Sequence, residues 1–397
     1  MKCIFTDDEL TDGTAPEHVL QNAFGGRKTT KRAICSKCNN TFGGGIDKAL
    51  VKQFDVVRNL MQMRSGTGNL APTLRNLQAG IQTINARGDG TLESVSKPFT
   101  AARLADGSFR VQIMVNSLQQ LDKLIPNIAA KIGISDAELR KQLIQARATK
   151  IEQRPGTIPF HLEFGGGEAL RSVTKSLLVL WALAVGNHEV RGACYESARG
   201  FATTGSRDFQ AARAGLDTRL LDHDAILQQG YGPLYNLMWV QSDDVGRVTG
   251  HFTFYNVVAM RILLAESGGA PNRATGLISN PLNPRVWSDK IANHRSIRPE
   301  WLNAPAVDLD ATKQRIGRLY QTYLEAATPK EWERIVQDVF DTRGLGPDDP
   351  TPPRDIDQIV ARICDRLGRQ ILALPFEEII DPNAVAAALG SRNTAEE

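Results

Sequence analysis

Cys35-Ser36-Lys37-Cys38-Asn39-Asn40 sets two cysteines three positions apart, followed at once by two asparagines. With Cys3 far upstream, this spacing is that of a structural zinc knuckle: a thiolate pair on a tight turn, closed by ligands from a distant strand. Working outward, Glu17-His18-Val19-Leu20 is a strand-like stretch, and Gly25-Gly26 follows it. Downstream, Ile46, Leu50, Phe54, Val57 and Met61 recur at helical spacing. Gly43-Gly44-Gly45 stands before that stripe, so the pattern predicts a short helical turn after Cys38, a break, and a longer helix to about Met63.

The chain has 397 residues, 42% of them hydrophobic and 23% charged, as in an ordinary globular protein of more than one domain. Three of its five cysteines lie in the first 38 residues, which suits a metal site in a reducing compartment better than a disulfide framework. Cys194 and Cys364 stand alone and are expected to be buried apolar residues. No apolar run reaches the roughly 18–20 residues needed to cross a bilayer. The best candidate, Val173 to Val185, is interrupted by Lys175 and Ser176, so no membrane partner is expected. Met1 to Asp8 lacks a basic-then-apolar signal pattern, which points to the cytoplasm. A net charge of +3 does not argue for nucleic acid over the whole chain. Between Gly25 and Ile46, however, Arg27, Lys28, Lys31, Arg32 and Lys37 occur with no acid among them, a candidate phosphate-facing surface.

Beyond Ser65-Gly66-Thr67-Gly68-Asn69, which reads as a hinge, the chain is a mixed body. Phe99–Leu104 and Phe109–Val115 flank an Asp-Gly turn, and Tyr235–Gln241 and Val248–Val258 flank Asp243-Asp244-Val245-Gly246, two hairpin patterns. Residues 117–151 read as helices broken near Gly133, with Ser135 and Glu138 as a capping box. Ile158 to Phe164 alternates like a strand, and three glycines then lead into an apolar helix from about Ala169 to Gly186. Helices are expected at about 309–327, 329–342, 354–373 and 376–389, with Gly344 to Pro353 as a linker. The division is residues 1–65 as an N-terminal module, 66–305 as an α+β domain of unknown function, and 306–397 as a helical C-terminal region. His161, His188, His223, His251 and His294 have no metal-like spacing and read as structural or surface residues.

The first 50 or so residues resemble the HNH endonucleases, the ββα-metal nucleases, in the branch that begins with a cysteine pair. The resemblance rests on Glu17-His18-Val19, Asn22-Ala23-Phe24-Gly25-Gly26, Cys35-Ser36-Lys37-Cys38-Asn39-Asn40-Thr41-Phe42-Gly43 and Ile46-Asp47, in order. It implies an α+β fold in which a small N-terminal ββα-metal (HNH) module precedes a larger, helix-rich α+β body. It also implies a metal-dependent endonuclease that hydrolyses DNA, RNA not being distinguished, and it fits a bacterial or phage-defence effector.

Phosphodiester hydrolysis near neutral pH needs a deprotonated water and a cation to neutralise the phosphate. A neutral histidine can accept the water's proton, the role the resemblance gives His18. Glu17 and Asn39, with Asn40 competing, would hold one Mg²⁺ or Mn²⁺ through oxygen. Zn²⁺ would be structural, held by Cys3, Cys35 and Cys38. Thr6 stands where most relatives have a fourth cysteine, which leaves Asp7, Asp8, water or packing alone to complete the knuckle. Thr29, Thr30, Lys31 and Arg32 occupy the region of the middle asparagine, so its owner is open. A two-fold dimer would let a one-strand cutter break both strands. The alternative reading is a non-catalytic, zinc-stapled nucleic-acid-binding or sensor protein.

Overall fold

The computed structural model describes residues 1–80, 82–95, 97–152, 158–160, 162–220, 226, 228–291, 297–341, 353–372 and 374–390. His161, His223 and His294, and most of the linker from Gly344, lie outside them. The fold is α+β, two short strands and then helices at the N-terminus, followed by a larger mixed body.

Strand β1 (Glu17–His18) pairs antiparallel with β2 (Thr29–Thr30), Glu17 opposite Thr30 and His18 opposite Thr29. Helix α1 (Ser36–Gly44) starts at the cysteine pair, with Cys35 as its N-cap accepting the Cys38 N–H at 3.4 Å. Two of the three glycines are absorbed into α1, and the break falls at Gly45 alone. Helix α2 (Ile46–Gln53) and helix α3 (Asp55–Leu60) follow, separated at Phe54, so the expected single helix is two. The apolar stripe from Ile46 to Met61 is buried throughout, as its spacing predicts.

The chain divides into two compact units. The first comprises Met1–Leu74, Arg87–Thr91 and Phe160–Leu324. Here the N-terminal module shares one hydrophobic core with helix α4 (Gly167–Val185) and an antiparallel sheet. The sheet contains β3 (Ala214–Asp217), β4 (Asn236–Ser242), β5 (Val248–Phe254), β6 (Val258–Ala265), β7 (Ala274–Ser279) and β8 (Trp287–Ser288). Their spatial order is β8-β7-β4-β5-β6-β3. Along β4, Met238 and Val240 face the core shared with α4, whereas Leu237 and Trp239 enter a second cluster with Ile278, Ile291 and Leu302. Alternate residues point to opposite faces, and both faces are covered, so the strands are buried along their length.

Side chains lock the module onto this body. Phe24 packs edge-on against Phe54, Phe254 and Tyr255. Buried Asn236 donates to the Phe24 carbonyl and accepts from the Tyr255 N–H, each at 2.9 Å, so both ends of its amide are satisfied. The expected hinge is tied down: Asn22 accepts from Gly66 N through its carbonyl and from Thr67 N through Oδ1, and Arg27 donates to the Gly66 carbonyl. His251 is buried, its Nε2 3.6 Å from Asp217 Oδ2, while His188 is exposed.

The second unit comprises Arg75–Ala86, Leu92–Pro159 and Glu325–Glu397. It holds the expected hairpin, Phe99–Arg103 against Phe109–Ile113, with Gly107 at φ 83° in the turn. Ser135 caps the helix Asp136–Gln145 by accepting from Glu138 N. Strand Thr149–Glu152 pairs with Phe376–Ile379, which corrects the helix expected from 376. Phe376-Glu377-Glu378-Ile379 does not alternate apolar with charged, and Phe376 and Ile379 stand three apart as on a helix, so the local pattern carries no strand signal. Pro329 does not divide the helices expected around it, because one helix runs Leu309–Asp341. No strand forms at the described residues between 158 and 164. Cys194 is half-buried and Cys364 exposed, rather than both buried.

Candidate active site and metal centre

Three thiols converge although 35 residues separate the outer two. The Sγ atoms of Cys3, Cys35 and Cys38 all lie within 4.8 Å of one another and are buried. The Cys3 and Cys38 sulfurs are 3.9 Å apart. A tetrahedral zinc with bonds of about 2.3 Å to sulfur spaces its ligands about 3.8 Å apart, so these residues fit the ion. The Phe5 N–H points at the Cys3 sulfur, at 3.5 Å. Hydrogen bonding to Cys38 is the main cause holding the Cys3 thiol down at about 4, and the same contact pushes Cys38 up, so the pair loses its first proton readily and resists losing the second. A bound cation removes that resistance. Arg191, from the body, donates to the Cys3 and Thr6 carbonyls and to Asp7 Oδ1, which holds the loop under the thiols.

Glu17 and His18 are neighbours on β1 and have different surroundings, as adjacent strand residues do. Glu17 is buried, and its Oε1 accepts from the Lys175 ammonium at 2.6 Å. Lys175 lies on α4, fully buried, and also donates to Asp47 Oδ2 at 2.8 Å. Ser172 Oγ donates to Asp47 Oδ1, and Gln21 Nε2 lies 3.0 Å from Ser172 Oγ and 2.9 Å from Ser176 Oγ. One ammonium thus serves two carboxylates. Burial raises Glu17 above the usual carboxylate range against the pull of Lys175. Burial also works against the Lys175 charge, but Asp47 and Glu17 override it and hold the ammonium above its ordinary value.

His18 is half-buried, and burial, then the nearby Lys175 charge, lower its pKa. The ring is therefore neutral at physiological pH, the form that accepts a proton. Asn39 joins the strand to α1, its Nδ2 donating to the Pro16 carbonyl at 3.1 Å. That bond uses the Asn39 amide nitrogen and not its oxygen, and the hydrogen bond from Lys175 to Glu17 is made at Oε1. A carboxylate and an amide oxygen are donors that a hard divalent cation prefers, so Glu17 and Asn39 fit that ion chemically. Asn40 is exposed on α1.

The basic residues do not share one environment. Lys28 pairs with Asp289 Oδ2 at 2.7 Å, whereas Arg27 and Lys31 donate to the carbonyls of Gly66 and Asp12. Arg32 and Lys37 are exposed. Sequence reasoning missed Lys175, Ser172 and Gln21 as site residues, and it named Asp47 only within the Ile46-Asp47 part of the resemblance. The signal was present as a lysine, flanked by Thr174 and Ser176, at the start of the long apolar run of that helix.

In comparison with known families, residues 3–55 match the family described as HNH endonuclease. This segment is similar to the HNH endonucleases. The match begins at the first knuckle cysteine and covers Glu17, His18, Cys35, Cys38, Asn39 and Asp47. Comparisons with curated proteins and with solved structures found no match. No helix among the described residues is long and apolar enough to cross a membrane.

The N-terminal module tolerates little at Gly26, where a Cβ would sit 1.9 Å from the Leu20 carbonyl oxygen. Gly26→Ala is expected to destabilise the protein by about 3 kcal/mol, the upper part of the overpacking range. Gly43→Ala, whose Cβ meets nothing within 4 Å, should stabilise α1 by about 0.5 kcal/mol. Urea unfolding of the two variants beside the wild type checks this, and equal effects would contradict it.

Proposed function

We propose that the protein is a metal-dependent HNH endonuclease that hydrolyses phosphodiester bonds of DNA, with His18 as general base. The observation that carries the reading is the family match, which covers a half-buried, neutral histidine next to a carboxylate in sequence, and Asn39. In this reading His18 takes the proton from the attacking water, and Asn39 holds the Pro16 carbonyl so that β1 stays registered on α1. Glu17 and Asn39 would hold one Mg²⁺ or Mn²⁺, which supplies charge neutralisation at the phosphate and the leaving oxygen. Cys3, Cys35 and Cys38 would hold Zn²⁺ as a structural ion. Arg27, Lys31, Arg32 and Lys37, all exposed, would contact the phosphate backbone. Lys28, already paired, would contribute less.

Supercoiled plasmid is the direct test. Purified protein should nick or linearise it with Mg²⁺ or Mn²⁺ and stop when the divalent cation is chelated. Binding to a labelled duplex should weaken steeply with salt, as expected when lysines and arginines displace counterions. Salt-sensitive binding with no cleavage in any divalent cation would instead make the module a nucleic-acid-binding one.

A further inference from the structure

Three cysteines leave a tetrahedral site one ligand short, and Thr6 cannot supply a thiolate. The loop Cys3–Asp8 brings a different donor to the fourth position. Asp8 Oδ2 lies 3.2 Å from Cys35 Sγ. The Thr6 hydroxyl donates to that same Oδ2 at 3.0 Å and lies 3.7 Å from Cys35 Sγ. In a tetrahedral zinc site a sulfur and a carboxylate oxygen are about 3.6 Å apart, from bond lengths of about 2.3 and 2.1 Å, so a small shift of Oδ2 completes the coordination. Asp7, the neighbouring acid, is directed elsewhere: its Oδ1 meets Arg191 Nη2 at 2.6 Å and Lys2 Nζ at 3.3 Å. The loop is fixed in this form by backbone bonds, Cys3 N to the Asp8 carbonyl at 2.9 Å and Ile4 N to the Ala33 carbonyl at 3.0 Å.

We propose that Asp8 is the fourth ligand of the zinc knuckle, through Oδ2, and that Thr6 orients it from outside the coordination sphere. The residue at the lost cysteine position thus keeps a part in the site, passing ligation two positions along the loop. An outer hydroxyl bonded to a ligating carboxylate is a common arrangement around zinc. The site is then three sulfurs and one oxygen, and it stands or falls independently of whether the module cuts DNA.

The experiment uses the full chain, stripped with chelator and reloaded with Zn²⁺ or Co²⁺ under reducing conditions. Wild type should take up one ion and give a cobalt spectrum of a tetrahedral three-thiolate site. Asp8→Ala should weaken Zn²⁺ binding by about 100-fold or more in competition with a chromophoric chelator. Thr6→Val should weaken it by about 10-fold, the lower end of outer-shell effects. Asp7→Ala should bind like wild type. Asp8→Cys gives a positive readout, since a thiolate there should move the cobalt bands to those of a four-thiolate site. Asp8→Ala binding as tightly as wild type, or Asp8→Cys leaving the cobalt spectrum unchanged, would overturn the assignment. A wild-type chain that takes up neither ion at micromolar concentration would overturn it as well. Metal uptake is read directly, so the outcome does not depend on whether any variant retains cleavage.

Discussion

Lys175→Met is expected to destabilise the protein by about 3–5 kcal/mol, the cost of removing one partner from a buried ion pair and leaving the other charged. Here the loss strands two carboxylates, because the Lys175 ammonium bonds Glu17 Oε1 and Asp47 Oδ2 in a site where Lys175 is fully buried. The pH dependence separates this cause from a packing defect. Burial already raises Glu17 above its ordinary value in the folded protein, and removing the ammonium removes the main opposing pull. A carboxyl whose folded pKa lies above the unfolded one, near 4.3, favours folding most below that value, and the contribution is lost as pH rises through the folded pKa. The variant should therefore lose much more stability than wild type between about pH 5 and pH 8. Chemical denaturation at both pH values measures this. Replacing all three charges, as Lys175→Met with Glu17→Gln and Asp47→Asn, should recover part of the loss, since a fully neutral network leaves no charge unpaired. A single variant within about 1 kcal/mol of wild type at pH 8, or with unchanged pH dependence, would contradict the account.

The same network shows where the sequence is legible and where it is not. Cys35-x-x-Cys38, Glu17-His18 and Ile46-Asp47 lie within one module, and their order alone leads to the HNH resemblance that residues 3–55 bear out. The two hairpins are legible because Asp-Gly and Asp-Asp-Val-Gly turns are local signals. The partner of Glu17 is not, because Lys175 is 158 positions away and nothing local links the two. What the sequence does show is the conflict itself. Lys175 and Ser176 interrupt the apolar run that forms α4, and a charge in a core helix implies a buried partner from elsewhere in the chain. The strand at Phe376–Ile379 escapes a local reading because its partner, Thr149–Glu152, is separated from it in sequence by the whole Phe160–Leu324 segment. The fourth knuckle ligand is likewise open in the sequence, which offers Asp7 and Asp8 equally. Only the fold sends one toward Arg191 and the other toward the thiols.

His18→Ala should lower plasmid cleavage by about 10²–10⁴-fold, the usual contribution of a positioned general base. Its interpretation depends on how little else the ring does. Among the described residues no side chain is hydrogen-bonded to the imidazole, and His18 is half-buried, so the substitution should leave the fold and the zinc content close to wild type. Glu17 next to it is the opposite case, because Glu17→Ala would strip a buried partner from Lys175 and confound loss of cleavage with loss of structure. His18 is thus the position at which chemistry can be separated from stability. The variant should still shift labelled duplex with wild-type affinity and the same salt dependence, because the exposed basic residues that would contact phosphate are untouched. A folded, zinc-loaded His18→Ala protein that cuts as fast as wild type would remove His18 from the chemistry. Loss of duplex binding together with cleavage would place the ring in the recognition of phosphate instead of the activation of water.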